Sequence, residues 1–342
     1  MLHYFKWPFI MTALGLIASY FVGLGFVGSF KGGLGFLFIC CVLAILEISL
    51  SFDNAIVNAN KLKDMSPIWR QRFLTWGILI AVFGMRIVFP LLIVMISAGL
   101  SPVEAMYLSI HDPAQYSVII SDAHVLIAAF GSAFLMLVAL GYFIDNDKDV
   151  DWIGLPERAL RKCAKLRGVK VAIAGAIAAI FALFVDPSDQ RDFIAASGVG
   201  IITYLMVNLL GDFLDRQDIA DHVAKGGLGA FLYLEVLDSS FSFDGVIGAF
   251  ALTQNLFLIA IGLGIGAFYV RSMTVMLLEK GILAEYRYLE NGAFWSILVL
   301  SIMMAAQALF HIPEVVMGLF SVLFIGLALW CSLRDPIRQG LE

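Results

Sequence analysis

The chain has 342 residues, 61% of them hydrophobic and only 14% charged, with a mean hydropathy of +0.92. A soluble domain carries about 25% charge, so these values exclude a large soluble domain and predict an all-α polytopic membrane protein. The net charge of -5 matters less than where the charges fall.

A membrane-crossing helix needs roughly 20 apolar residues. In chain order, ten segments qualify: 8–30, 34–58, 73–98, 123–144, 169–186, 193–212, 228–252, 255–278, 293–311 and 314–333. The first exceeds a typical signal-peptide core and has no cleavage site, so it reads as a span. The fifth is short, and Pro313 joins the last two tightly. Inner loops of membrane proteins collect Lys and Arg. With the N-terminus inside, eighteen of the 22 fall in inner segments and only Lys31 and Arg191 in outer ones. Arg86 and Arg271 fall within spans. Ten spans with both termini cytoplasmic are therefore expected.

The chain repeats itself. "KGGLG" stands at 31–35 and at 225–229, and Glu47 to Asp53 matches Asp238 to Asp244, each with Ser-Phe before the second acid. "GMRIVFPLL" (84–92) aligns with "YVRSMTVMLL" (269–278), which pairs Arg86 with Arg271. The expected architecture is two halves of five helices, 1–168 and 169–342, forming one membrane domain. The second and seventh spans lie five apart, so they run in opposite directions and the repeat is inverted. Inverted repeats are recurrent in secondary transporters, with the site near the midplane at the repeat interface.

A charge at a helix centre costs about 2.5–3.5 kcal/mol on insertion scales. Glu47, Asp53, Asp238 and Asp244 thus cost on the order of 10 kcal/mol unless they face a partner or a wet cavity. Glu235 is a fifth acid nearby. At 100° per residue, Glu47, Ser51, Asn54 and Asn58 share a face to within about 40°. Glu235, Asp238 and Ser242 share another. Carboxylate, hydroxyl and amide oxygens suit Mn²⁺, Ca²⁺ or Mg²⁺, and neither thiolates nor paired His for copper or zinc are present. Asp53 and Asp244 fall roughly 120° off these faces. They address another partner, or the helix breaks near Ser-Phe-Asp; Gly245 and Gly248 suggest such a break in the second copy. Each arginine is expected to pair with Asp53 or Asp244, or otherwise to face the acidic motifs rather than lipid. The expected metal ligands are Glu47, Asp53, Asp238 and Asp244, with Ser51, Asn54, Ser242 and Glu235 beside them.

"EISLSFDN" (47–54), "EVLDSSFSFDG" (235–245) and the Arg-bearing helix after each resemble the TerC-like integral membrane family, most closely its longer branch. The resemblance spans about 33 to 278 and departs from the usual pattern where Gly245, not Ser, follows Asp244. It implies membership of the LysE-type exporter group, a bacterial inner-membrane location and metal handling, chiefly Mn²⁺ efflux. No cofactor is implied beyond the cation as substrate. The expected partners are that cation and the bilayer, with a homo-oligomer possible and no nucleic acid. Two other classes fit the composition: a membrane scaffold for metal-stress or tellurium resistance, and an intramembrane aspartyl protease built on two Asp residues.

Other features read as structural. "DNDKDVDW" (145–152) lacks the Gly and Glu of a calcium loop and is expected to be a solvated juxtamembrane loop. Asp212, Asp215, Asp218 and Asp221 read as a wet helix end, and the basic run 158–170 as a cytoplasmic anchor. His111, His124 and His311 read as outer-interface residues. Cys40, Cys41, Cys163 and Cys331 match no metal or redox spacing.

Overall fold

Regular structure is entirely helical among the described residues. In this computed structural model those residues are 3–335 except 146, 147, 149, 167, 221–226 and 311; the side chains of Asp212, 214–220, Phe243, Asp244, Ala251 and Glu314 are also outside the described set. Helix α1 (Lys6–Val27) stops where Gly28 turns to φ 68° and its amide meets the Leu24 carbonyl at 2.9 Å. Glycine enters that left-handed region without a Cβ penalty. Helix α2 (Phe30–Leu50) is capped by the Ser29 hydroxyl, which accepts from the Gly32 amide at 3.0 Å.

The second expected span is broken. Ser51, at φ -102° and ψ 19°, separates α2 from α3 (Phe52–Lys63). The rod Pro67–Ala98 follows, made of α4 (Pro67–Leu79), a nine-residue π-helix (Ile80–Val88) and α5 (Phe89–Ala98). Two short helices, α6 (Pro102–His111) and α7 (Pro113–Asp122), form a hairpin before α8 (His124–Phe143). Then come α9 (Gly154–Lys162), a 3₁₀ turn (Cys163–Lys165), α10 (Val169–Ala182) and α11 (Gln190–Ala220). The chain continues through α12 (Leu228–Leu252), α13 (Leu256–Glu279), the one-turn α14 (Ile282–Glu285), α15 (Leu289–Gln307) and α16 (Glu314–Leu333).

Eight of these helical stretches are long and apolar enough to cross a membrane among the described residues: α1, α2, Pro67–Ala98, α8, Gln190–Gly211, α13, α15 and most of α16. The chain is an all-α polytopic membrane protein. Helix α10 has only 14 residues, about 21 Å at 1.5 Å per residue. Helix α12 is long enough at 25 residues but carries Glu235, Asp238 and Asp244. The exposed side chains of α1 (Trp7, Phe9, Leu14, Phe21) and α16 (Leu319, Leu323) suit an acyl environment.

The largest core gathers α3, α4, α8, α12, α13 and α15 around Ile56, Phe73, Phe134, Leu234, Met273 and Ile297. A second apolar cluster joins the α6–α7 hairpin to α2, α12 and α13: Ala105, Tyr116 and Ile120 pack with Leu43, Val246, Phe250 and Ile259. Helices α2 and α13 approach closely because Gly262 and Gly266 face α2. A Cβ at Gly262 would run into Leu43, and one at Gly266 into the stem of Glu47 and the Ala44 carbonyl. This small-xxx-small spacing is the usual device for close helix contact in membranes.

Two sequence expectations change. Helix α12 runs unbroken through Gly245 and Gly248, so the break belongs to the first motif copy. Gly245 supplies space instead: a Cβ there would crowd the Glu47 Oε2 atom. The 145–152 loop is not fully solvated either: the Lys148 and Asp151 side chains are largely buried, and Lys148 and the Trp152 amide donate to Glu157. Glu157 is completely buried and accepts from Trp295 Nε1 (2.8 Å), the Ile153 amide (2.9 Å), Asn291 Nδ2 (3.0 Å), the Trp152 amide (3.2 Å) and Lys148 Nζ. Five donors converge on one carboxylate, which is why it tolerates burial.

Candidate functional site: two buried cavities at the paired motif

The break at Ser51 places the first motif. Glu47 ends the last turn of α2, while Asp53, Asn54 and Asn58 start α3. The unbroken α12 brings Asp238 and Ser242 of the second motif, and α13 and the π-helix bring Arg271 and Arg86. π-helical turns are rare and concentrate at functional sites.

These elements enclose a cavity of about 40 Å³ lined by Glu47, Ser51, Asn54, Asn58, Arg86, Asp238, Ser242, Arg271 and Thr274, with Met85 and Phe241 among the apolar walls. One water needs roughly 10–15 Å³ on this measure, so the space suits a few waters or an ion with part of its shell. Glu47, Arg86, Asn54, Asn58, Ser242 and Arg271 are all buried.

Partners divide unevenly. Arg86 donates from Nη2 to Glu47 Oε1 and from Nη1 to the Ala81 carbonyl. The Ser51 hydroxyl donates to the same Glu47 oxygen at 3.4 Å. Asn58 Nδ2 donates to Asp238 Oδ1 at 2.6 Å. Arg271 stacks on Phe73 at 3.9 Å, pressed against Gly77 beside Glu235, and its charge acts on Asp238 and Glu235. Several buried atoms around this cavity have no hydrogen-bond partner: Asn54 Oδ1, Asn58 Oδ1, Ser242 Oγ, Glu235 Oε1 and Arg86 Nε. Buried polar atoms are rarely left so. Three of them, Asn54 Oδ1, Asn58 Oδ1 and Ser242 Oγ, belong to residues that line the cavity as neutral oxygen donors.

Asp53 goes elsewhere. Its carboxylate accepts from Ser296 Oγ at 3.0 Å, and Ser296 pairs with Ser321 at 2.8 Å. It lines a second cavity of about 30 Å³ with Ser51, Ser240, Met304, Met317, Ser321 and the other side of Glu47. Asp53 is fully buried and forms no ion pair among the described residues. Glu47, Ser51 and Phe241 line both cavities and so partition them.

The expectation of one four-carboxylate site therefore becomes two cavities. Among the described residues no three His, Cys, Asp or Glu side chains gather as a ligand set. Helical phase accounts for the split: Asn54 and Asn58 share the Glu47 face, whereas Asp53 lies about 120° off it, toward Ser296 of α15 and Ser321 of α16. Asp244 has its backbone in α12 and its side chain outside the described residues. Arg86 pairs with Glu47, not with Asp53. Glu235 is buried beside Arg271 but does not line the first cavity.

Residues 52–339 match the family model described as a protein of unknown function, DUF475. The chain belongs to that family. The DUF475 match takes in Asp53, Asn58, Arg86, Asp238 and Arg271, while Glu47 and Ser51 lie just before its start. No curated protein and no solved structure matches the chain.

Four site residues escaped the sequence reading. Thr274 carried a signal, standing one helical turn after Arg271 on the same face. Ser296 and Ser321 are hydroxyls inside apolar spans, with no sequence link to Asp53. Gly77 gave none. His111 is engaged locally, its ring stacked on Tyr107 at 3.8 Å. His311 and Asp221, and the side chains of Asp212, Asp215 and Asp218, lie outside the described residues.

Proposed function

We propose that the chain is a secondary transporter that exports a divalent cation, with Mn²⁺ as the favoured cargo, and is not an enzyme. The observation that carries this reading is the set of partnerless oxygens, Asn54 Oδ1, Asn58 Oδ1 and Ser242 Oγ, beside the Glu47 and Asp238 carboxylates in one buried cavity. Neutral and anionic hard oxygens select Mn²⁺, Mg²⁺ or Ca²⁺ over copper or zinc. The resemblance of both motifs to TerC-like proteins favours Mn²⁺ among them.

Packing supports the inverted repeat behind this reading. The second span lies against the eighth, through α2 and α13, and the third against the seventh, through the π-helix and α12. Those are the reciprocal contacts that a two-fold axis between halves 1–168 and 169–342 requires. The first and sixth spans break the pattern, since α1 packs on α13 whereas α11 packs on α8. Adding α10 and α12 to the eight long apolar helices gives ten spans, with both ends cytoplasmic in a bacterial inner membrane.

A paired-aspartate protease is disfavoured because Asp53 and Asp238 line different cavities and engage different partners. The test is Mn²⁺ flux in proteoliposomes holding the wild type, Glu47→Gln or Asp238→Asn. Transport by the wild type and its loss in both folded variants is expected. Wild-type vesicles no more permeable than empty ones would leave the scaffold reading in its place.

A further inference from the structure

The two arginines of the first cavity are held very differently. Arg271 is clamped: its guanidinium lies on the Phe73 ring at 3.9 Å and against Gly77, with no carboxylate oxygen in ion-pair range among the described residues. Arg86 instead sits directly on Glu47 Oε1, the oxygen that also accepts from the Ser51 hydroxyl. Its Nε has no partner, so its remaining tie is the Ala81 carbonyl five residues back on its own helix. That helix is π-wound from Ile80 to Val88. Moving a residue by one position of register turns its side chain by about 100°. A π-wound segment bordered by α-helix on both sides offers such a change at low cost in backbone hydrogen bonds.

We propose that Arg86 is an internal substitute for the transported cation. This rests on the transporter reading above and concerns how that same site is regulated. Glu47 Oε1 cannot serve the guanidinium and a metal ion at once, so the two compete for it. A cation that enters displaces Arg86, which keeps the Ala81 carbonyl. When the cation leaves, Arg86 returns and neutralises Glu47. A bare carboxylate buried in the membrane is costly, and a carrier holding one cannot readily change between its inward- and outward-facing forms. With Arg86 on Glu47 the unloaded carrier can make that change. Arg86 thereby permits net transport, whereas a carrier without it moves only when loaded and performs one-for-one exchange.

The test separates the two processes in proteoliposomes. Net Mn²⁺ entry down a gradient is measured beside exchange of radiolabelled Mn²⁺ against unlabelled Mn²⁺ at equal concentration. Binding of Mn²⁺ to the detergent-solubilised protein is followed calorimetrically. In Arg86→Gln the competitor is gone, so Mn²⁺ should bind about tenfold more tightly, while net entry falls about tenfold and exchange persists. Arg86→Lys keeps the charge and should retain net entry, and it serves if Arg86→Gln does not fold. Arg86→Gln losing exchange along with net entry, or keeping both at wild-type rates, overturns the proposal. So does Arg86→Lys losing net entry while still exchanging. A wild type that exchanges without net entry refutes the role of Arg86 and leaves the transporter standing. A wild type inert in both assays removes the transporter reading itself.

Discussion

Asn58 and Asp238, 180 residues apart, are joined by a hydrogen bond of 2.6 Å from the amide nitrogen to the carboxylate. It ties the first motif to the second across the middle of the molecule. It also fixes the orientation of Asn58, whose Oδ1 is left without a partner beside the cavity. The bond therefore does two things: it anchors α3 to α12, and it presents a neutral oxygen where a cation can use it.

Asn58→Asp tests both roles. It replaces the donor to Asp238 by a second carboxylate, so two acids face one another without a proton between them. Leaving a buried charge without its donor costs about 1–3 kcal/mol or more. The expected outcome is a lower unfolding temperature in detergent that is recovered by millimolar Mn²⁺, which bridges the two acids. Equal melting with and without Mn²⁺ would contradict the placement of Asn58 at a cation site.

The glycines of α13 permit a sharper test of packing. Gly266→Ala puts a methyl group into the stem of Glu47 and the Ala44 carbonyl. Overpacking of this kind costs about 1–3 kcal/mol, and it moves the carboxylate that lines both cavities. Gly25→Ala, in α1, meets nothing within 4 Å and should be neutral or stabilising by up to about 1 kcal/mol from helix propensity. Thermal unfolding of the two variants should diverge in sign; parallel behaviour would count against the α2–α13 contact.

Much of the fold was legible in the sequence because membrane spans announce themselves. Pro67–Ala98, α8, α13 and α15 are apolar runs of membrane length, and they lie close to the segments read from hydropathy. The motif acids and arginines were legible for the same reason, since Glu47, Asp53 and Arg86 stand out in greasy surroundings. What the sequence did not reveal was the break at Ser51, although the wheel already put Asn54 and Asn58 on the Glu47 face and Asp53 off it. A helix wheel carried straight through Ser51 cannot foresee that α3 begins anew there, and Ser51 is neither Gly nor Pro. Gly245, which looked like part of a hinge, makes room for Glu47 instead, a role that depends on a neighbour about 200 residues away in sequence. The buried Glu157 was hidden similarly, because the donors Asn291 and Trp295 reach it from α15.

Glu157 yields a prediction independent of the cavities. Glu157→Gln puts an amide nitrogen where only donors converge and removes the nearer of the two carboxylates paired with Lys148, leaving Asp151 at 3.7 Å. Breaking a buried ion pair at one end costs about 3–5 kcal/mol. The variant should unfold at markedly lower temperature, while the fraction that remains folded binds Mn²⁺ with unchanged affinity, because Glu157 lines neither cavity. A changed affinity at low temperature would show that the clamp on α15 reaches the site.

Asp53 separates stability from function. It is completely buried, it receives hydrogen bonds from the Ser296 hydroxyl and the Asn54 amide, and no Lys or Arg pairs with it among the described residues. A charge in such a place is costly to the folded state. Asp53→Asn has nearly the same shape: its carbonyl can still accept from the Asn54 amide, and its amide nitrogen can donate to the Ser296 hydroxyl, which itself donates to Ser321. Removing the charge should leave the unfolding temperature unchanged or raise it, by up to about 2 kcal/mol of stability. If Asp53 belongs to the cation pathway through the second cavity, the same variant should lose Mn²⁺ flux. A more stable protein that no longer transports is thus the expected result, read from melting curves and proteoliposome flux on one preparation. Full flux with raised stability would assign Asp53 to helix packing alone. A fall in stability would mean that its carboxylate has a counter-charge after all.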